Sequence, residues 1–241
     1  MEQQLIVPDE VKQALSVAGW DMEKELEDQS IVSAGFELPR VRIEHKKNGR
    51  HNLYVDSGES YLDDGSQEID IPGNTLSGIV FAEQSIKALW EEGADVPTCS
   101  AIDGRPMGQK PLADSCRQCE HSVIGGTCKP KSRLLILAEM DGEVKPFVFA
   151  LSPTSIKHWL AHKRRLTRSN LPIVAVNTTF ELMDVKKGTY RWAEVKVGID
   201  GIASKEMLML AKQARDQFEE VTKVISSHDF SDPGDTSVEP F

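Results

Sequence analysis

The chain has 241 residues, 39% of them hydrophobic, and carries 28 Lys and Arg against 38 Asp and Glu for a net charge of −10. That apolar content can bury a core, which excludes a disordered or fibrous chain, and the length accommodates one or two domains. Net acidity argues against a nucleic-acid partner, but its distribution removes the objection. Residues 1–30 hold eight acids and two bases, residues 227–241 hold four acids and no base, and the other 196 residues hold 26 of each.

The first residues show neither the basic nor the apolar region of a secretory signal. No stretch approaches the ~20 apolar residues of a membrane span. The expected setting is the cytoplasm, with no membrane partner and with the four cysteines reduced.

In chain order, residues 1–30 form an acidic segment in which Val11, Leu15, Val17 and Trp20 mark an amphipathic helix over 9–29. Apolar alternation on both sides of Asn48-Gly49 predicts a hairpin through Val41-Arg42-Ile43 and Leu53-Tyr54-Val55. Residues 56–75 read as a loop, and Ile79-Val80-Phe81 as a buried strand. Residues 134–137 and 147–149 predict a second hairpin about Asp141-Gly142. Ser152-Pro153 then opens a helix running to about Leu166, with serine at the cap and proline in the first turn. Its apolar side is Ile156, Trp159, Leu160 and Leu166. Residues 172–180 and 189–197 predict a third hairpin across Lys186-Lys187-Gly188. Met207, Ala211, Ala214, Phe218, Val221 and Ile225 mark a long closing helix.

About seven short strands with one intervening helix predict a mainly β, α+β chain, best matched by an OB-like Greek-key β-barrel. Its expected organisation is a barrel domain over 31–200 with a zinc-stapled loop at 97–130. A C-terminal amphipathic helix over 201–226 and a disordered acidic tail over 227–241 follow.

Cys99, Cys116, Cys119 and Cys128 fall within thirty residues, and Cys116-Arg117-Gln118-Cys119 is a C-x-x-C. Four thiolates satisfy tetrahedral Zn²⁺, and a two-residue gap lets both sulfurs of one turn reach the same ion. The Gly- and Pro-rich surroundings cannot fold on their own burial and gain most from a metal crosslink. Disulfides are disfavoured by the compartment, and a redox C-x-x-C would leave Cys99 and Cys128 idle. His121 could replace one cysteine. One structural zinc per chain is expected, with no open position for catalysis.

Residues 99–168 hold twelve Lys and Arg against six Asp and Glu. Lys129, Lys131 and Arg133 follow the cysteines, while Lys163, Arg164, Arg165 and Arg168 end the middle helix. With Arg40, Arg42, Lys46, Lys47 and Arg50 of the first hairpin they could line a groove that neutralises phosphates. Tyr54, Tyr190 and Trp192 are candidate stacking platforms, with Tyr61 as a further one. Tyr190, Trp192 and Lys196 share one strand face. Basic residues at a helix end also complement the dipole, and a single Trp more often packs in a core.

The tail has almost no apolar content yet ends on an aromatic residue. Asp229, Asp232, Asp235 and Glu239 supply charge, and Pro240-Phe241 supplies one apolar anchor for a basic pocket on a partner. The same tail could fold back over a basic groove and compete with DNA. No Walker sequence, Gly-x-Gly-x-x-Gly or His-Glu-x-x-His occurs. His158 and His162, one turn apart beside Lys157 and Lys163, read as a solvated basic face. Nothing indicates an enzyme.

The acidic tail ending in Phe241 resembles the C-terminal tip of bacterial and bacteriophage single-stranded DNA-binding proteins, and the strand order is similar to their OB fold. A cysteine-ligated zinc in such a domain looks like the arrangement in some phage helix-destabilising proteins. The cysteine segment followed by a hydrophobic hairpin and the Ser152-Pro153-Thr154-Ser155 helix start also looks like a group of uncharacterised phage and plasmid proteins. The resemblance rests on the last fifteen residues and the cysteine set. It implies a phage or mobile-element protein in the bacterial cytoplasm. Such a protein binds single-stranded DNA without strong sequence preference and recruits replication and recombination proteins through its tail, with homo-oligomerisation left open. The alternatives are a zinc-containing protein–protein adaptor, such as a transcription or host-takeover factor that binds a polymerase, and a nuclease accessory subunit.

Overall fold

The computed structural model describes residues 38–45, 50–56, 68–91, 97–107, 111–123 and 125–218. The expected N-terminal helix, Lys46, Lys47, Tyr61 and the acidic tail lie outside these residues. What is described is mainly β with two helices, and one ten-stranded sheet curls into a half-barrel.

The strands are β1 (Arg40–His45), β2 (His51–Asp56), β3 (Glu68–Asp70), β4 (Thr75–Leu89), β5 (Cys99–Ile102) and β6 (Arg105–Met107). They continue as β7 (Lys129–Met140), β8 (Glu143–Leu151), β9 (Val176–Lys187) and β10 (Tyr190–Ile202). The sheet order is β10-β9-β4-β7-β8-β1-β2-β3, with β5 and β6 continuing from the far end of β4. Pairing is antiparallel except between β1 and β8.

Turn chemistry explains the hairpins. Asp141 and Gly142 have φ of 53° and 78°, the left-handed pair that a two-residue loop needs to match strand twist. Asp103 and Gly104, at 49° and 78°, do the same between β5 and β6, a hairpin whose strands are too short for alternation to reveal.

Alternation along the strands gives the sheet two faces. On the inner face Val41, Leu53, Val80, Leu134, Ile136, Phe147, Phe149, Phe180 and Val195 pack together. Helix α1 (Pro153–Arg168) covers them with Trp159, which is wholly buried. Truncating such a side chain costs about 3–5 kcal/mol. On the outer face Ile79, Phe81, Leu135, Leu137 and Val148 meet Ala211, Ala214 and Phe218 of helix α2 (Lys205–Gln217) and its C-cap. Ser204 caps α2 by accepting from the Met207 amide at 3.2 Å.

β4 runs fifteen residues, far past its apolar centre. A bulge between Val80 and Ala82 leaves the Phe81 carbonyl outside the ladder, and Arg215 Nε of α2 donates to it at 2.7 Å. The polar continuation is satisfied by long-range partners: Trp159 Nε1 and Lys163 Nζ both donate to Glu83 Oε1 at 2.7 Å. Gly78 sits where a Cβ would come within 2.6 Å of the Leu137 carbonyl, so β4 can lie against β7 there only with glycine.

Three expectations are corrected. Residues 68–70 are a strand pairing with β2, which three residues of pattern cannot signal. Leu160 is exposed at 39%, because the apolar stripe of α1 is centred on Trp159 and Leu166. His162 is buried at 4%, its ring stacked on Trp159 at 5.4 Å between centroids. Burial, and to a lesser degree Arg165, lowers its pKa, so it belongs to the core and not to a solvated face.

Candidate functional site

β10 is an edge strand, and an edge amide needs a partner or water. At its centre the Val195 amide donates to the buried Ser155 hydroxyl of α1 at 2.9 Å, which fixes the helix along this edge. On the adjoining strand face stand Tyr190, Trp192, Glu194 and Lys196, successive same-side residues. Tyr190 is 56% exposed, Trp192 half-buried and Lys196 exposed.

Glu194 organises this face. It is buried, and its carboxylate accepts from Trp192 Nε1 at 2.9 Å, from Lys157 Nζ at 2.8 Å and lies 2.8 Å from His158 Nε2. Burial pushes its pKa up, but the three hydrogen bonds and the Lys157 charge outweigh burial and hold it at about 2. The indole of Trp192 is thereby pinned by its edge while part of the ring stays open. Sequence reasoning missed Glu194 because its partners Lys157 and His158 lie on α1, more than thirty residues away.

At the tip, Tyr190 is registered opposite Lys187 and Arg191 opposite Lys186, and all three cations are exposed. None has an ion pair among the described residues. Like charges directly opposite destabilise a ladder, so the tip gains from an anion. Arg50, also exposed, adjoins His51, whose Nε2 stands 3.8 Å from Asp184 Oδ1 of β9. This approach brings the end of the β1–β2 hairpin beside β9. Arg164, Arg165 and Arg168 are exposed on α1, whereas Lys163 is held by Glu83.

Other expected DNA-binding residues are not at the surface. Arg40, Arg42, Tyr54, Lys131 and Arg133 are each at most 9% exposed. Strand parity turns them to the outer sheet face, where Arg42 Nε pairs with Asp56 at 2.8 Å and Arg133 Nε with Gln84 at 2.9 Å. Tyr54 therefore offers no open ring for stacking, and these bases serve the fold in this conformation. Lys129 is exposed at the start of β7.

The four cysteines come together at the far end of β4. Cys99 begins β5 opposite Leu89, Cys116 and Cys119 lie in the turn that follows β6, and Cys128 precedes β7. Backbone bonds from Cys116 N to Gly104 O (3.2 Å) and from Cys128 N to His121 O (2.9 Å) brace these loops. All four thiols are free and half-buried, and they line one cavity of about 10 Å³, with His121 beside them. That is room for about one water-sized sphere. Burial foremost raises the Cys128 pKa to about 11 and also raises that of Cys116. The ammonium of Lys87, which donates to Ser122 Oγ at 2.6 Å, opposes both shifts. Among the described residues no group of three or more His, Cys, Asp or Glu side chains stands in ligating geometry. The donor set itself suits a tetrahedral thiolate metal, and a metal entering it would displace thiol protons.

No described helix is long and apolar enough to cross a membrane. Compared with family models, curated proteins and solved structures, the chain matches none.

Proposed function

We propose that this protein binds single-stranded DNA without strong sequence preference, on the end and outer face of the β9–β10 hairpin. The observation that carries the reading is the exposed Tyr190, flanked by the unpaired cations Lys187, Lys186 and Arg191 and followed on the same face by the edge-pinned Trp192. Cationic side chains gain by releasing counterions from phosphates, and aromatic rings stack on any base. Lys196, Lys157 and Arg50 extend the positive track. The half-barrel is read as an OB-like Greek-key domain.

Cys99, Cys116, Cys119 and Cys128 would hold one structural Zn²⁺, which ties the start of β5, the loop after β6 and the start of β7 to one point. The acidic tail with Asp229, Asp232, Asp235, Glu239, Pro240 and Phe241 is assigned to recruiting replication or recombination proteins in the cytoplasm, as its resemblance implies. The test is fluorescence anisotropy with labelled oligo(dT). Tyr190→Ala and Trp192→Ala should each weaken binding by about 1–3 kcal/mol, and Tyr54→Ala should not act through stacking. Undiminished affinity in both β10 variants would remove this face from the interface.

A further inference from the structure

At the opposite end of the β9–β10 ladder from the cationic tip lies a cavity of about 630 Å³, within the range of ligand pockets. It is bounded by the start of β4, the Asp141-Gly142 turn, the end of β10 and the start of α2. Leu76, Ile79, Met140 and Met207 give it an apolar lining, and Ile202, 70% exposed, stands at its side. Its charged lining is Glu139, Asp141 and Asp200, with no Lys, Arg or His among the described residues. Asp200 is 3.4 Å from the Asn177 amide. Glu139 and Asp141 are exposed and have no ion pair among the described residues.

The occupant this site calls for is an apolar or aromatic residue flanked by cations, and the β9–β10 tip is such a group: Tyr190 beside Lys186, Lys187 and Arg191. Three unpaired cations face three carboxylates in number and type. The register separates the two. Lys187 pairs with Tyr190 at one end, whereas Thr178 pairs with Ile199 and Val176 with Ile202 at the other. At 3.3 Å per residue the ends lie about 30 Å apart, so a tip cannot enter the cavity of its own chain. The geometry points to head-to-tail self-association, in which the β9–β10 tip of one copy docks in the acidic cavity of a second copy. The two patches differ, so the interface is heterologous and leaves a free tip and a free cavity at the ends of every assembly.

Self-association of this kind does not depend on DNA binding, although the tip is common to both. Sedimentation velocity without DNA tests it. The full chain should show an average mass that rises with protein concentration and falls with added salt, as screened charge pairs require. Lys186→Gln with Lys187→Gln removes tip charge. Glu139→Gln with Asp141→Asn removes cavity charge while leaving a residue that accepts the positive φ of position 141. Each double variant alone should self-associate roughly five- to tenfold more weakly. Mixed, the two should favour a 1:1 dimer at concentrations where neither variant associates by itself, because one supplies an intact tip and the other an intact cavity.

A monomeric full chain at millimolar concentration would overturn the proposal. So would a mixture no more associated than its components, or self-association weakened in the tip variant but unchanged in the cavity variant, which would assign the tip's partner to acidic residues elsewhere. Should the DNA reading fail while this one holds, self-association will be seen and oligo(dT) will leave it unchanged. Oligo(dT) that binds and disperses the assemblies supports both.

Discussion

Replacing Glu194 by Gln isolates the charge at the centre of the β10 face while keeping an oxygen for the Trp192 indole. The wild-type carboxyl is held at about 2 against an ordinary 4.5. At about 1.36 kcal/mol per unit the ionised form contributes at most about 3 kcal/mol. Lys157 is 59% exposed and its share is screened by solvent, so Glu194→Gln should cost about 1–2 kcal/mol at pH 7. In urea that lowers the midpoint by about 0.5 M. The pH dependence carries the sharper test. A depressed carboxyl contributes fully above its unfolded pKa near 4.5 and loses its contribution progressively as pH falls from there through 2. The gap between wild type and variant should therefore be nearly undiminished at pH 4.5. If it shrinks already between pH 6 and 5, the hydrogen bonds from Lys157, His158 and Trp192 do not hold the carboxylate as described.

Four further outcomes are expected. Lys186→Ala with Lys187→Ala should weaken oligo(dT) binding and flatten its salt dependence, the log–log slope falling by about 0.7 for each phosphate no longer neutralised. Arg42→Ala, which breaks a partly buried pair with Asp56, should lower the urea midpoint and leave that slope unchanged. Protein purified without chelator should contain one zinc per chain by elemental analysis, and Cys119→Ser should lower both metal content and melting temperature; metal-free protein with unaltered stability contradicts the assignment. Removing residues 227–241 should tighten DNA binding and abolish partner recruitment, and weaker DNA binding would refute the competing tail.

Local chemistry made the hairpins and the first helix legible. Asp141-Gly142 has few uses besides a tight turn with both residues at positive φ, and Ser152-Pro153 matches the start of a helix. The cysteine spacing predicts one metal cluster, and the four side chains line one cavity without a ligating arrangement among the described residues. What the chain order hid was decided at long range. Glu83 and Gln84 look unlike a strand until Trp159, Lys163 and Arg133 satisfy them, so the sequence marks only Ile79-Val80-Phe81 of the fifteen residues of β4. The faces of the basic residues depend on parity and on one bulge: Arg42 and Arg133 turn to a buried sheet face, whereas Lys186, Lys187 and Arg191 crowd a hairpin tip that reads from sequence as a mere turn. Glu194 looks like any surface acid until α1 packs against the edge of β10 and brings Lys157 and His158 to it.

The most direct test of the central claim is an anisotropy titration of the full chain with labelled oligo(dT) and with a duplex of equal length, at low and raised salt. Preferential binding of the single strand, weakening steeply as salt rises, is expected. No measurable binding at low salt, or equal affinity for the duplex, would contradict it.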